Sequence, residues 1–356
     1  MDFYRLTEKI SKQLQEKLPF VVYSLPQEGK VSALLQKNQD LFKIEELSQN
    51  GFVFAPFAYD GLALFIPEAI SEKMELASLP SEIELHKVDL AKDAGEEKIY
   101  KEKVSRAVEK IKGAQVRKIV LSRNRDFPLM DFSIKLLLER LFVAYPTAFR
   151  YVWYHPQTGI WCGATPETLV QVENHAFKTM ALAGTQPYTD AGPVRWGAKE
   201  LDEQQQVTDA ITNSLQRVTS VLKISNTHSH RAGPLLHLRT DITGILKNGK
   251  ATLTKIAAAL HPTPAVCGAP QKRAKDFILK YEGYDREYYT GFLGPVTKNG
   301  VSATLMVNLR CMKIKNNTAR IFVGGGITLG SRPDDEWQET QNKMQTMLQV
   351  LQPMLS

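Results

Sequence analysis

The chain has 356 residues, 43% hydrophobic and 23% charged, and its 45 basic against 38 acidic side chains give a net charge of +7. That is enough for one large globular domain or two average ones; the basic excess is spread out with no arginine-rich arm, which argues against nucleic-acid binding and suits a small polyanion better. No apolar run reaches the roughly 18 residues of a membrane span, the N-terminus lacks an apolar signal core, and Cys162, Cys267 and Cys311 have no metal or disulfide spacing, so a cytoplasmic protein is expected.

In chain order, a helix over 4–17 leads into strands at 20–25, 51–57 and 61–67, the last two joined by a hairpin turn at Tyr59-Asp60-Gly61. A helix over 96–112 sets Tyr100, Val104, Ala107 and Ile111 on one face, with Gly113 as its stop. The strand KIVLSR (118–123), a helix at 132–144, and strands at 148–155, 159–164, 168–172 and 175–182 follow. Next come a long helix over 198–223, a strand over 234–246, and helices at 252–260 and 271–282. Strands at 288–297, 301–315 and 318–324 then reach the glycines Gly324 to Gly326, read as a turn before a final helix starting near Pro333. Strands run in hairpin-like groups with helices between the groups, a pattern of α+β class with large, mainly antiparallel sheets. No linker-like segment divides the chain, so 1–356 is read as a single domain, with 1–95 building sheet and carrying no site chemistry. The absence of coiled-coil heptads or an obvious partner helix favours a monomer.

Several side chains stand out. On the helix over 198–223, Val207, Ala210, Ile211, Leu215, Val218 and Leu222 form a stripe, and Glu200 and Glu203 project onto it. Buried carboxylates need a compensating cation, and all-oxygen ligation would suit Mg²⁺; the alternative is a pair of helix-end glutamates in solvent. In the last helix Glu336, Glu339 and Lys343 share a face, either as cation and anion ligands or as a solvated polar face. Lys118 opens an apolar strand, where desolvation can make an amine a base or where the chain simply snorkels. Glu167, in GATPETLV, lies between two strands, as a candidate acid or an exposed turn residue. His237, inside LLHLRTD, reads as a core histidine by default, and ALHPTPAVCG (259–268) as a rigid loop of the kind that lines sites.

KIVLSR, GATPETL, ALAGT, KELDEQQQV, LLHLRTDITG, LHPTPAVCG, LRC, VGGGI and EWQET, collinear from about residue 96 onward, resemble the chorismate-utilising enzymes and within them the isochorismate synthase branch. The resemblance implies two large antiparallel sheets in a sandwich ringed by helices, and Mg²⁺-dependent conversion of chorismate to isochorismate. It implies Lys118 as general base and Glu167 as general acid. It assigns Glu203 and Glu339 to the metal, with Glu200 and Glu336 acting through waters. Gly184 and Thr185 correspond to a ring-carboxylate contact, Arg310 and Gly324 to the enolpyruvyl carboxylate, Lys343 to a further contact, and His237 and Ala265 to the pocket. Lys118 separates the chain from amine-forming relatives, which carry glutamine there, and Ala183 from those with a nucleophilic lysine. Salicylate synthases, which go on to eliminate pyruvate, share the acid and base, and Ala265 resembles the residue of enzymes that stop at isochorismate. A non-catalytic chorismate-binding protein is the other alternative, and the intact acid, base and carboxylates oppose it. The run KELDEQQQV departs from the usual pattern by placing Gln204 beside a metal ligand, and residues 1–95 match the family poorly.

Overall fold

The structure, a computed structural model, describes residues 3–76, 83–91, 93–188, 194–232, 235–247 and 252–355. The elements are α1 (Phe3–Gln15), β1 (Phe20–Ser24), β2 (Val31–Gln36), β3 (Phe42–Ile44), β4 (Gly51–Ala55), β5 (Ala63–Pro67), β6 (Ser71–Leu76), α2 (Ala94–Lys112), β7 (Lys118–Pro128), α3 (Ile134–Ala144), β8 (Phe149–His155), β9 (Gly159–Thr165), β10 (Thr168–Glu173) and β11 (Ala176–Pro187). They continue with α4 (Ala198–Leu215), β12 (Thr219–Ile224), β13 (His228–Ala232), β14 (Leu235–Leu246), α5 (Leu253–Leu260), β15 (Gly268–Ala269), α6 (Gln271–Tyr281), β16 (Phe292–Thr297), β17 (Ser302–Val307), β18 (Cys311–Lys315), β19 (Thr318–Ile327) and α7 (Pro333–Leu351).

Two antiparallel sheets result. One has nine strands in the order β15-β7-β19-β18-β9-β8-β1-β2-β6; the other has ten, β12-β14-β11-β10-β17-β16-β4-β5-β3, with β13 added beside β14. Period-two burial explains the sandwich. One set of side chains, including Val21, Phe52, Phe54, Tyr151, Trp153, Trp161 and Met306, fills the space between the sheets. The alternate set of the nine-stranded sheet packs on α1, α3 and α7, while that of the ten-stranded sheet packs on α4 and α5. α2 and α6 cover the β7 end, burying Tyr100, Val104, Ala107 and Ile111 as their spacing requires. The hairpin at residues 59–61 joins β4 to β5.

Three expectations need correction. The long helix stops at Leu215, and Thr219–Ile224 forms the edge strand β12, so Val218 and Leu222 are not on the helical stripe. The β-branched residues Val218, Thr219 and Val221 favour extended backbone, and their helical spacing was coincidental. The run 301–315 is two strands in different sheets: β17 ends at Val307 and β18 begins at Cys311, with Asn308–Arg310 crossing the gap. Tyr151 Oη donates to Asn308 Oδ1 (2.7 Å), and Arg310 takes a φ of 47°, which turns the chain. Finally, Gly324 to Gly326 are not a turn but lie within β19, opposite Ser122, Leu121 and Val120 of β7. β2, β3, β6 and β13, none of them anticipated, extend the sheets.

Candidate active site

The glycines in β19 are there to make room. A Cβ on Gly326 would lie 2.8 Å from Lys118 Cε, one on Gly325 would lie 2.9 Å from Glu336 Oε2, and one on Gly324 would lie 3.0 Å from Tyr289 Oη. Any side chain at these positions would displace a group of the candidate site. Lys118, the first residue of β7, extends across Gly326 and donates to Glu203 Oε1 of α4 at 2.8 Å. Both side chains are largely shielded, at 12% and 24% exposure, so the anticipated compensation of Glu203 comes from Lys118.

Glu167 and Arg310 occupy neighbouring places in the architecture. Pro166-Glu167 carries the chain from β9 in one sheet to β10 in the other, and Asn308–Arg310 makes the reverse crossing from β17 to β18. The crossings are tied together: Val307 N donates to Glu167 O (2.9 Å), Thr165 Oγ1 to Val307 O (2.5 Å), and Ala164 N to Arg310 O (3.1 Å). Glu167 is buried rather than an exposed turn residue. Burial pushes its carboxyl up to about 7, against the charges of Lys118 and Lys343 and a hydrogen bond from Thr263 Oγ1 (3.4 Å).

Lys343 Nζ donates to Gly324 O (2.8 Å) and pairs with Glu339 Oε1 at 2.5 Å. Burial would raise Glu339, but Lys343, with Arg310 and Lys118 beyond it, brings it below the ordinary carboxylate value. His237 faces Gly184 O through Nδ1 (3.0 Å); burial lowers its basicity, and Lys343 and Arg310 lower it further. The charges of Lys118 and Lys343 act on Glu167, those of Lys343 and Arg310 on His237, and those of Lys343, Arg310 and Lys118 on Glu339, so these six side chains are near neighbours. Gly184, at φ 62°, sits where the β11–β14 ladder loses register, and a Cβ there would touch Glu200 at 3.4 Å. Ala265 is half-buried in the loop between α5 and α6, whereas the side chain of Thr185 lies outside the described residues.

Glu200, Glu203, Glu336 and Glu339 offer oxygen donors only, the ligand chemistry that a hard divalent cation takes. Glu336 supports that fit: it is buried, its Oε2 has no hydrogen-bond partner among the described residues, and burial pushes its carboxyl up to about 7, with the neighbouring Glu339 adding to the rise. In the arrangement seen, Glu203 and Glu339 each face a lysine, and among the described residues no three acidic, histidine or cysteine side chains group closely enough to hold a metal. The fully buried neighbour is Gln204, whose Nε2 donates to Ala181 O (3.0 Å) and Thr240 Oγ1 (2.9 Å), fastening α4 to the sheet. It therefore secures the helix that bears Glu200 and Glu203.

Two residues missed in the sequence belong here. Thr263 gives Glu167 its hydroxyl partner; the Pro-punctuated loop was a signal for the segment but not for the residue. Tyr289, buried beside Gly324, lay in a run read as strand from 288, whereas β16 begins only at Phe292.

Known proteins resemble this chain in sequence and in fold. The family described as chorismate binding enzyme matches residues 65–352, starting well before the stretch whose motifs are readable by eye. Isochorismate synthase EntC of Escherichia coli K12 is 34% identical over 267 residues, covering 72% of this chain and 67% of that protein. Isochorismate synthase MenF of Haemophilus influenzae is 29% identical over 277 residues, 75% of this chain and 63% of that one. The structure of MenF, the menaquinone-specific isochorismate synthase of Escherichia coli, shares the fold, with a TM-score of 0.77 at 21% identity over 94% of this chain and 88% of that one. With the family match spanning most of its length and the two-sheet fold in common, the chain belongs to the chorismate-binding enzymes.

Proposed function

We propose that the protein is an isochorismate synthase, converting chorismate to isochorismate with Mg²⁺ as cofactor. The observation that carries this reading is a shielded lysine amine near a buried carboxyl that holds its proton near neutrality, with Arg310 and Lys343 close by. Lys118 Nζ serves as the general base and takes a proton from water while the water oxygen bonds to C2 of the ring. The conjugated double bonds shift, the C4–oxygen bond breaks, and Glu167 gives its proton to the departing hydroxyl, which leaves as water. One water enters and one leaves, so the reaction is an isomerisation. Arg310 and Lys343 bind the carboxylates of the dianion. Glu203 and Glu339, with Glu200 and Glu336 through waters, would hold Mg²⁺, whose chemistry is to neutralise and orient the ring carboxylate.

Purified protein incubated with chorismate and Mg²⁺ is expected to form isochorismate, resolved from substrate by chromatography. Salicylate with released pyruvate, or binding without turnover, would overturn the assignment. Within the site, Gly326→Ala is expected to fold, because the clash falls on a flexible lysine, yet to lower kcat by about 100-fold through displacement of Lys118. Steady-state kinetics beside a thermal melt separates the two effects, and an unchanged kcat would contradict the steric argument.

A further inference from the structure

Behind the site lies an ion pair that the chemistry above does not use. Glu282 and Arg286 are 1% and 2% exposed. Arg286 Nε donates to Glu282 Oε2 (2.5 Å) and Nη2 to Glu282 Oε1 (2.7 Å). The remaining reach of the guanidinium goes to three other places: Nη2 to Val120 O (2.8 Å), Nη1 to Val266 O (3.0 Å), and Nη1 to Thr290 Oγ1 (3.1 Å). Glu282 Oε1 also accepts from Ser122 N (2.6 Å) and Ser122 Oγ (2.7 Å). Phe57 closes the underside, its ring centroid 4.4 Å from the guanidinium carbon.

The places this pair touches are those that carry site groups. Val120 and Ser122 are in β7, two and four residues from Lys118. Val266 adjoins Ala265 in the loop whose Thr263 holds Glu167, and Val266 N is itself bound by Thr263 O (3.1 Å). Thr290 follows Tyr289, which abuts Gly324. The loop is also laced to β7 directly, through Val120 N to Cys267 O (3.0 Å) and Arg117 N to Ala269 O (2.8 Å). Burying two charges is costly, and apolar residues of similar size commonly hold a core at least as well. What they cannot supply is a rigid planar fork that fixes several carbonyls at once.

We propose that Glu282 and Arg286 are a positioning pair for the reaction. They hold the strand that bears the base at a set distance from the loop that steadies the acid. The inference rests on the isochorismate synthase reading of the same site. It deepens that reading by placing part of the control of turnover in two residues that do not touch the substrate.

Two variants test it. Arg286→Lys keeps the charge opposite Glu282 but cannot span both carbonyls; Glu282→Met with Arg286→Met removes the charges and fills the volume. Both are expected to melt lower, because buried groups such as Val120 O and Val266 O lose partners, and, per folded molecule, to keep KM within about threefold while kcat falls about 100-fold, as a misplacement of reacting groups by about 1 Å would produce. A purely structural role would lower the melting temperature and the active fraction but leave kcat per folded molecule intact. A folded variant of either kind with kcat within threefold of the unaltered protein overturns the inference, even if the other fails to fold. If the unaltered protein makes no isochorismate, the functional reading falls and this inference falls with it. If it does and the folded variants match it, only the inference falls.

Discussion

Replacing Lys118 with alanine is expected to reduce turnover of chorismate by about 10³-fold or more, within the range of a lost general base, while the protein stays folded and still binds chorismate. The ion pair with Glu203 is largely shielded, so losing Lys118 leaves that carboxylate uncompensated and should cost some stability, which a thermal melt run beside the kinetics separates from the loss of turnover. On the proposed reading Arg310 and Lys343 still meet the carboxylates of the substrate, so binding measured by calorimetry should survive. Lys118→Arg is the sharper control: it keeps the charge and the contact with Glu203 but cannot give up its proton. Arginine should therefore be as inactive as alanine. An arginine variant with substantial turnover would show that position 118 acts through charge rather than proton transfer.

Glu167→Gln is the second large effect, with an expected loss of about 10²- to 10⁴-fold. The amide fills the same space and accepts the same hydrogen bond from Thr263, but has no acidic proton. The pH profile identifies the role. With its carboxyl pushed up to about 7 by burial, Glu167 is protonated below that value and competent as an acid, and the rate should decline as pH rises through it. The residual rate of the glutamine variant should lack that decline. Stability moves in the matching direction. Because the folded-state value lies above the ordinary 4.5, the folded protein holds the proton more tightly than the unfolded chain. The stabilisation is fully present below 4.5 and is lost as pH rises towards 7. Above that window the glutamine variant, with no charge to bury, should be the more stable by on the order of 3 kcal/mol. Denaturant melts at pH 5 and pH 8 would reveal this, and a gap that did not widen at pH 8 would contradict the buried-acid account.

What could be read from the sequence, and what could not, follows from the range of the forces involved. Helix α2 was legible because its period coincides with a single buried face, and the β4–β5 hairpin because Asp-Gly has a local turn preference. Lys118 and Glu167 were found as candidates by position and given roles only by resemblance; spacing alone favoured the solvated alternatives for both. The change of sheet at Asn308–Arg310 had no local sign, since a run of strand-forming residues looks the same whether it stays in one sheet or crosses to another. The extra reach of the helix over 198–223 came from Val218 and Leu222 falling on a helical period by chance. Glu282 and Arg286, four apart after a helix, look like an ordinary solvent pair; only the fold shows that the space around them is closed.

Residues 1–95 contribute six strands, divided between the two sheets, yet none of the side chains assigned to the site. Their task is to complete the sandwich, which asks for alternating apolar residues of suitable bulk and little else. That quarter of the chain, apart from positions such as Phe57 that pack on Arg286, is thus free to drift or be exchanged by recombination without altering the chemistry, so long as the replacement fills the same slots. An engineer could use it as an interchangeable chassis, tuning solubility or thermal tolerance there while residues 96–356 are left alone.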